Sequence, residues 1–115
     1  VNITKNTENN RFFLEDIIGI VGINYTIDLN THYEYQSNLL IHFKTNNNGN
    51  LKVKFYNITD FNLKYIGGPF NYLSSIQISK NISYEKEHRY HVDDYENGMI
   101  GFYCETYEEI IDKND

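Results

Sequence analysis

The chain has no tryptophan and no alanine, and only one cysteine, one proline and one methionine in 115 residues. A lone cysteine, Cys104, excludes an internal disulfide and any zinc site built from paired thiolates. The longest apolar run, Ile17 to Ile23, holds seven residues including two glycines. A membrane-spanning helix needs about 20, so no membrane partner is expected. The chain opens with no signal-peptide pattern, but on valine rather than methionine, which leaves a removed leader open. With alanine missing, the strongest helix former is missing too. What replaces it is Asn, Ile, Tyr, Phe and Thr, residues that favour strands and turns or follow from A/T-rich codons. The length suits one domain with its own hydrophobic core.

Net charge is −6. Residues 1–80 carry seven basic and six acidic side chains, whereas residues 81–115 carry three basic and ten acidic ones. An acidic surface repels nucleic acid and attracts basic partners. It also simply keeps a small protein in solution.

Residues 1–10 are polar and aperiodic and read as a loose arm, with a single domain over 11–115. Phe13, Leu14, Ile17, Ile18 and Val21 recur at helical spacing. Asn10 suits an N-cap and Gly19 a stop, which predicts a short helix from Arg11 to Ile18. Beyond it the alternation has a period of two: Tyr25/Ile27/Leu29, Leu39/Ile41/Phe43, Leu51/Val53/Phe55, Phe61/Leu63/Tyr65, Ile76/Ile78, Tyr90/Val92 and Ile100/Phe102/Cys104. One packed face and one wet face are implied. The expected fold is therefore α+β, a short N-terminal helix on an antiparallel, mostly meander sheet of six or seven strands.

Two Asn-Gly loops fix hairpin registers. A two-residue turn would set Phe43 against Lys54, mixing faces. Three-residue loops with glycine left-handed at the last position avoid this. Asn47-Asn48-Gly49 would pair Phe43 with Val53, and Glu96-Asn97-Gly98 would pair Val92 with Phe102 and Tyr90 with Cys104. The tail from Thr106 to Asp115 fits a capped helix or a further strand.

Motifs of catalysis are missing: no phosphate-binding glycine loop, no nucleophile elbow. Cys104 points inward in its hairpin and is expected to be inert. His91 and Asp93 share a face but make a poor metal site without a third ligand. No spacing selects a pair among the carboxylates. The strip His42, Lys44, Lys52, Lys54 and Tyr56 reads as a solvated face rather than a nucleic-acid groove. No enzyme activity, cofactor or metal is expected.

The runs FYNITDFNLKYIGG (Phe55–Gly68), SSIQISKNISYE (Ser74–Glu85) and RYHVDDYENGMIGFYCETYEEI (Arg89–Ile110) resemble small bacterial immunity proteins of polymorphic-toxin and contact-dependent inhibition systems. They also resemble related domains of low-GC Gram-positive bacteria. The specific part is the hairpin carried by Val92, Asp94, Tyr95, Glu96, Gly98, Ile100, Phe102, Tyr103, Cys104 and Glu105. The resemblance implies a non-enzymatic, cytoplasmic protein that binds and neutralises a cognate toxin domain, often a basic nuclease, as monomer or weak dimer. The acidic third then becomes the expected contact surface, with Asp93, Tyr95, Glu96, Tyr103, Glu105 and Glu108 as its residues, since tyrosines anchor interfaces well. Two alternatives stay open. A sugar-binding β-module would stack ligand on Tyr33, Tyr35, Tyr56 and Tyr65 in a concave groove, and a self-associating protein would show an apolar patch, with Leu40 a first suspect.

Overall fold

A computed structural model describes residues 3–6, 11–14, 16–73, 76–81, 85–94 and 96–111. Eleven strands run through them: β1 Ile3–Asn6, β2 Arg11–Leu14, β3 Ile17–Leu29, β4 Tyr35–Thr45, β5 Gly49–Tyr56, β6 Thr59–Leu63, β7 Asn71–Tyr72, β8 Ile76–Lys80, β9 Tyr90–Asp93, β10 Ile100–Cys104 and β11 Thr106–Ile110. They form two antiparallel sheets, ordered β1-β2-β8-β9-β10-β6 and β11-β5-β4-β3-β7. The α+β expectation is thus overturned. The described residues contain no α-helix, only single 3₁₀ turns at Asn46–Asn48 and Lys86–His88. Residues 3–6, inside the stretch read as an arm, form β1 and pair with β2.

The helix expected from Arg11 to Ile18 is two strands in different sheets. The chain leaves the first sheet after Leu14 and enters the second at Ile17, turning at Asp16 with a left-handed φ of 63°. Register shifts between Ile17 and Gly19 and between Ile20 and Gly22 then interrupt the alternation of β3. Each shift adds one residue to the spacing, so Ile17, Ile20 and Ile23 all reach the core. A bulged strand thereby imitates the spacing of a helix. The β-branched run itself favours the strand.

Inward residues of both sheets make one core, including Leu39, Ile41, Phe43, Val53 and Phe55 from one and Ile76, Ile78, Val92, Ile100, Phe102 and Cys104 from the other. Phe55 meets Phe102 edge-on at 4.9 Å between ring centres. Leu63 packs against this core partly buried. Two neighbouring chain segments bend from sheet to sheet: β5 into β6 through Asn57 and Ile58, and β10 into β11 through Glu105 alone. Asn57 takes a φ of 56° at its bend, a conformation asparagine tolerates better than most residues. The tail as far as Ile110 is a strand, and residues 112–115 lie outside the described ones.

The second hairpin has the expected register, Val92 with Phe102 and Tyr90 with Cys104, and Gly98 is left-handed at φ 65°. The first keeps its faces but not its partners. Phe43 pairs with Leu51 and Ile41 with Val53. The left-handed residue is Asn48 (φ 60°), one position earlier than expected. Gly49 is extended instead, and a Cβ there would run into the Thr45 hydroxyl. Its lack of a side chain matters, not its freedom of φ.

Candidate partner-binding groove

Directly paired residues share a sheet face, so the β3–β4–β5–β11 register builds the outer face row by row. One row holds His42 and Lys52, the next Leu40, Lys54 and Glu108, the next Thr26, Asn38, Tyr56 and Thr106, and the last Asp28 and Gln36. At the Asp28 end, where the sheet meets the Glu105 bend, the surface hollows into an open groove of about 660 Å³. Asp28, Asn38, Lys54, Tyr56 and Glu105 are among its walls.

These side chains are tied into one polar network. Asn38, buried within the sheet face, donates to Asp28 Oδ2 at 2.8 Å, and the Thr26 hydroxyl donates to the same oxygen at 2.9 Å. Those two bonds, Asn38 foremost, hold the Asp28 carboxyl below its ordinary value. Asn38 Oδ1 in turn accepts from Gln36 Nε2 and from the Asn57 backbone N–H, both at 3.1 Å. The Asn57 amide donates to Glu105 Oε1 at 3.0 Å, linking the two bends. Beside it the Tyr56 hydroxyl donates to Glu108 Oε1 at 2.5 Å. That bond, with burial and the Glu108 charge, pushes the phenol up to about 12. The Lys54 ammonium sits 5.2 Å from the centre of the Tyr56 ring. Lys54 thus shares the groove wall with Asp28 and Glu105 and its strand register with Glu108, so three carboxylates and one lysine lie on this part of the face.

The six residues expected at the contact surface do not share one face. Glu105 is a wall of this groove, and Glu108 adjoins it through the Tyr56 hydroxyl. Asp93 and Tyr103 belong to the other sheet, where Tyr103 pairs with His91 and its ring lies 4.7 Å from those of both His88 and His91. Glu96 sits exposed at the β9–β10 loop, and Tyr95 lies outside the described residues. Asp94, counted among the acidic third, is 2% exposed and belongs to the hairpin itself. Its carboxylate accepts the backbone N–H groups of Glu96 (3.1 Å), Asn97 (3.2 Å) and Met99 (3.2 Å). Asp28, Asn38 and Asn57 were not expected at a contact surface from sequence. Alternation puts Thr26 and Asp28 on one face, but only the strand register brings Asn38 to them. Of the four tyrosines considered for sugar stacking, Tyr56 alone is among the groove's walls.

Cys104 is fully buried and its thiol is pushed up to about 12 by burial, as its inward place in the hairpin implied. Among the described residues no three His, Cys, Asp or Glu gather as metal ligands.

Two packed sheets carrying a charged, hydrogen-bonded groove have the makings of a protein-binding domain. The family model of Immunity protein PIM8 matches residues 6–109, and the chain belongs to that family. No curated protein and no solved structure matches the chain.

Proposed function

We propose that this immunity protein neutralises its toxin by binding, without catalysis, and that the toxin domain is basic, as a nuclease acting on a polyanion would be. The contact surface we assign is the groove lined by Asp28, Tyr56 and Glu105, together with Glu108 bonded to the Tyr56 hydroxyl beside it. The convergence of three carboxylates there, from β3, the β10–β11 bend and β11, carries the reading. Tyr56 supplies a large side chain with a polar tip at the centre, the kind of residue that anchors interfaces. The carboxylates would speed association and discriminate among toxins by charge. Asp93 and Tyr103, on the other sheet, and Glu96, in the loop between its strands β9 and β10, serve as the comparison.

The test uses neutral variants that keep the internal bonds. In Glu105→Gln/Glu108→Gln the amide oxygens still accept from Asn57 and Tyr56. Association with the toxin domain encoded beside this chain should slow about tenfold at low salt and lose most of its salt dependence. Asp93→Asn/Glu96→Gln should associate like the unaltered protein. The opposite pattern would move the contact to the other sheet.

A further inference from the structure

In the second sheet β3 is nearly an edge strand. Among the described residues its only neighbour on the side away from β4 is β7, which pairs with Gly19 and Ile20 and no further. From Ile23 to Leu29 that edge is open, seven residues in regular register with β4. Of the usual protections of an edge it carries one charge, Asp28, but no lysine, no proline, and no bulge after Gly22. Tyr25 (48% exposed), Ile27 (60%) and Leu29 (55%) lie on the face that continues the core, and the other sheet leaves them uncovered.

We propose that this edge pairs with the same edge of a second copy of the chain. The segment is complementary to itself about Thr26. An antiparallel two-fold there sets Ile23 opposite Leu29 of the other copy, Tyr25 opposite Ile27, and Thr26 opposite Thr26. Every apolar residue then meets an apolar one, and pairs on one face stay on that face. The only charged side chain, Asp28, meets Asn24, an amide able to donate to it, and never another Asp28. Such a contact is isologous and closes after two copies. Because paired residues share a face, the axis stands perpendicular to the sheet, and the two grooves open on the same side.

Seven residues at about 3.4 Å each give an edge only about 24 Å long, so the contact falls in the small, weak class of interfaces. Two copies of net charge −6 also repel. Salt should therefore strengthen the dimer by screening, the reverse of its effect on toxin association, which keeps this proposal separable from the previous one. Sedimentation equilibrium of the isolated chain should show a mass rising from one copy at low micromolar towards two at about 500 µM, as weak interfaces do, and rising further with salt. Ile27→Lys should stay monomeric throughout with an unchanged far-UV spectrum. Thr26→Cys should form a disulfide-linked dimer on mild oxidation, its new thiols meeting at the axis while Cys104 stays buried. A chain that remains monomeric at all concentrations, a dimer that survives Ile27→Lys, or failure of Thr26→Cys to cross-link each overturns the proposal. A toxin strand occupying the edge would appear as the first of these.

Discussion

Replacing Asp94 with alanine should destabilise the protein by roughly 2–4 kcal/mol. Three backbone N–H groups end on its carboxylate, and hydrogen bonds to a charged acceptor contribute about 1.5–3 kcal/mol each when nothing replaces them. Water does replace two of them. Glu96 and Asn97 are exposed, so their N–H groups turn to solvent at small cost. Met99 is only 8% exposed, and its N–H would lose its acceptor within the hairpin, at about 1–3 kcal/mol. The remaining loss comes from a loop no longer pinned at its left-handed Gly98. Asp94→Asn keeps one carbonyl oxygen and should lose about half as much. Urea unfolding followed by far-UV circular dichroism, with the slopes shared, reads both differences. If Asp94→Ala costs less than about 0.5 kcal/mol, or weakens toxin binding while leaving stability unchanged, the assignment of Asp94 to hairpin structure is wrong.

Cys104→Ala should cost about 1–2 kcal/mol from lost packing, and the native thiol should react with a disulfide reagent only as fast as the protein unfolds. Gly19→Ala should cost about 1–3 kcal/mol, because a Cβ there meets the Phe70 ring and the Asn71 carbonyl; thermal denaturation would show it, and a neutral result would contradict the close approach of β7. Burial raises the Cys104 thiol and the Tyr107 phenol, and the bond to Glu108 raises Tyr56, each to about 12 from ordinary values of 9.0 for the thiol and 10.0 for the phenols. The folded state thus holds these protons more tightly than the unfolded state, so their stabilisation is complete below pH 9 and is lost as pH climbs through 12. Stability measured across that window should fall steeply, and Glu108→Gln should bring the Tyr56 part of the ultraviolet titration to lower pH.

The inward residues from Leu39 to Cys104 were legible because a half-buried strand writes its two faces as alternation. The first hairpin shows where that signal stops: alternation fixes the face of Phe43 but not its partner. Slipping the pairing from Val53 to Leu51 preserves every face, so only the loop chemistry of Asn48 and Gly49 decides. The N-terminal helix was misread for a related reason. A sheet change after Leu14 and two bulges in β3 stretch the spacing of core residues from two to three, at Leu14, Ile17, Ile20 and Ile23, which sequence periodicity cannot tell from a helical turn. The contact residues were grouped by closeness in sequence and by charge. That grouping fails at Glu105, where a single residue carries the chain from one sheet to the other and separates Tyr103 from Glu108. Charge counting alone does not show that three N–H groups hold Asp94 inside. Nothing local marks Asn38 as the residue that organises Asp28, because the two meet only through strand pairing.

The central claim is inhibition by stoichiometric binding, and titration tests it most directly. Residual activity of a fixed amount of the toxin domain is measured against increasing amounts of this chain, well above their dissociation constant. The account predicts a straight fall to zero at one chain per toxin domain, with both proteins recovered chemically unchanged by mass spectrometry. Loss of toxin activity at a small fraction of that ratio, or a toxin recovered cleaved or modified, would make the protein a catalyst and contradict the account.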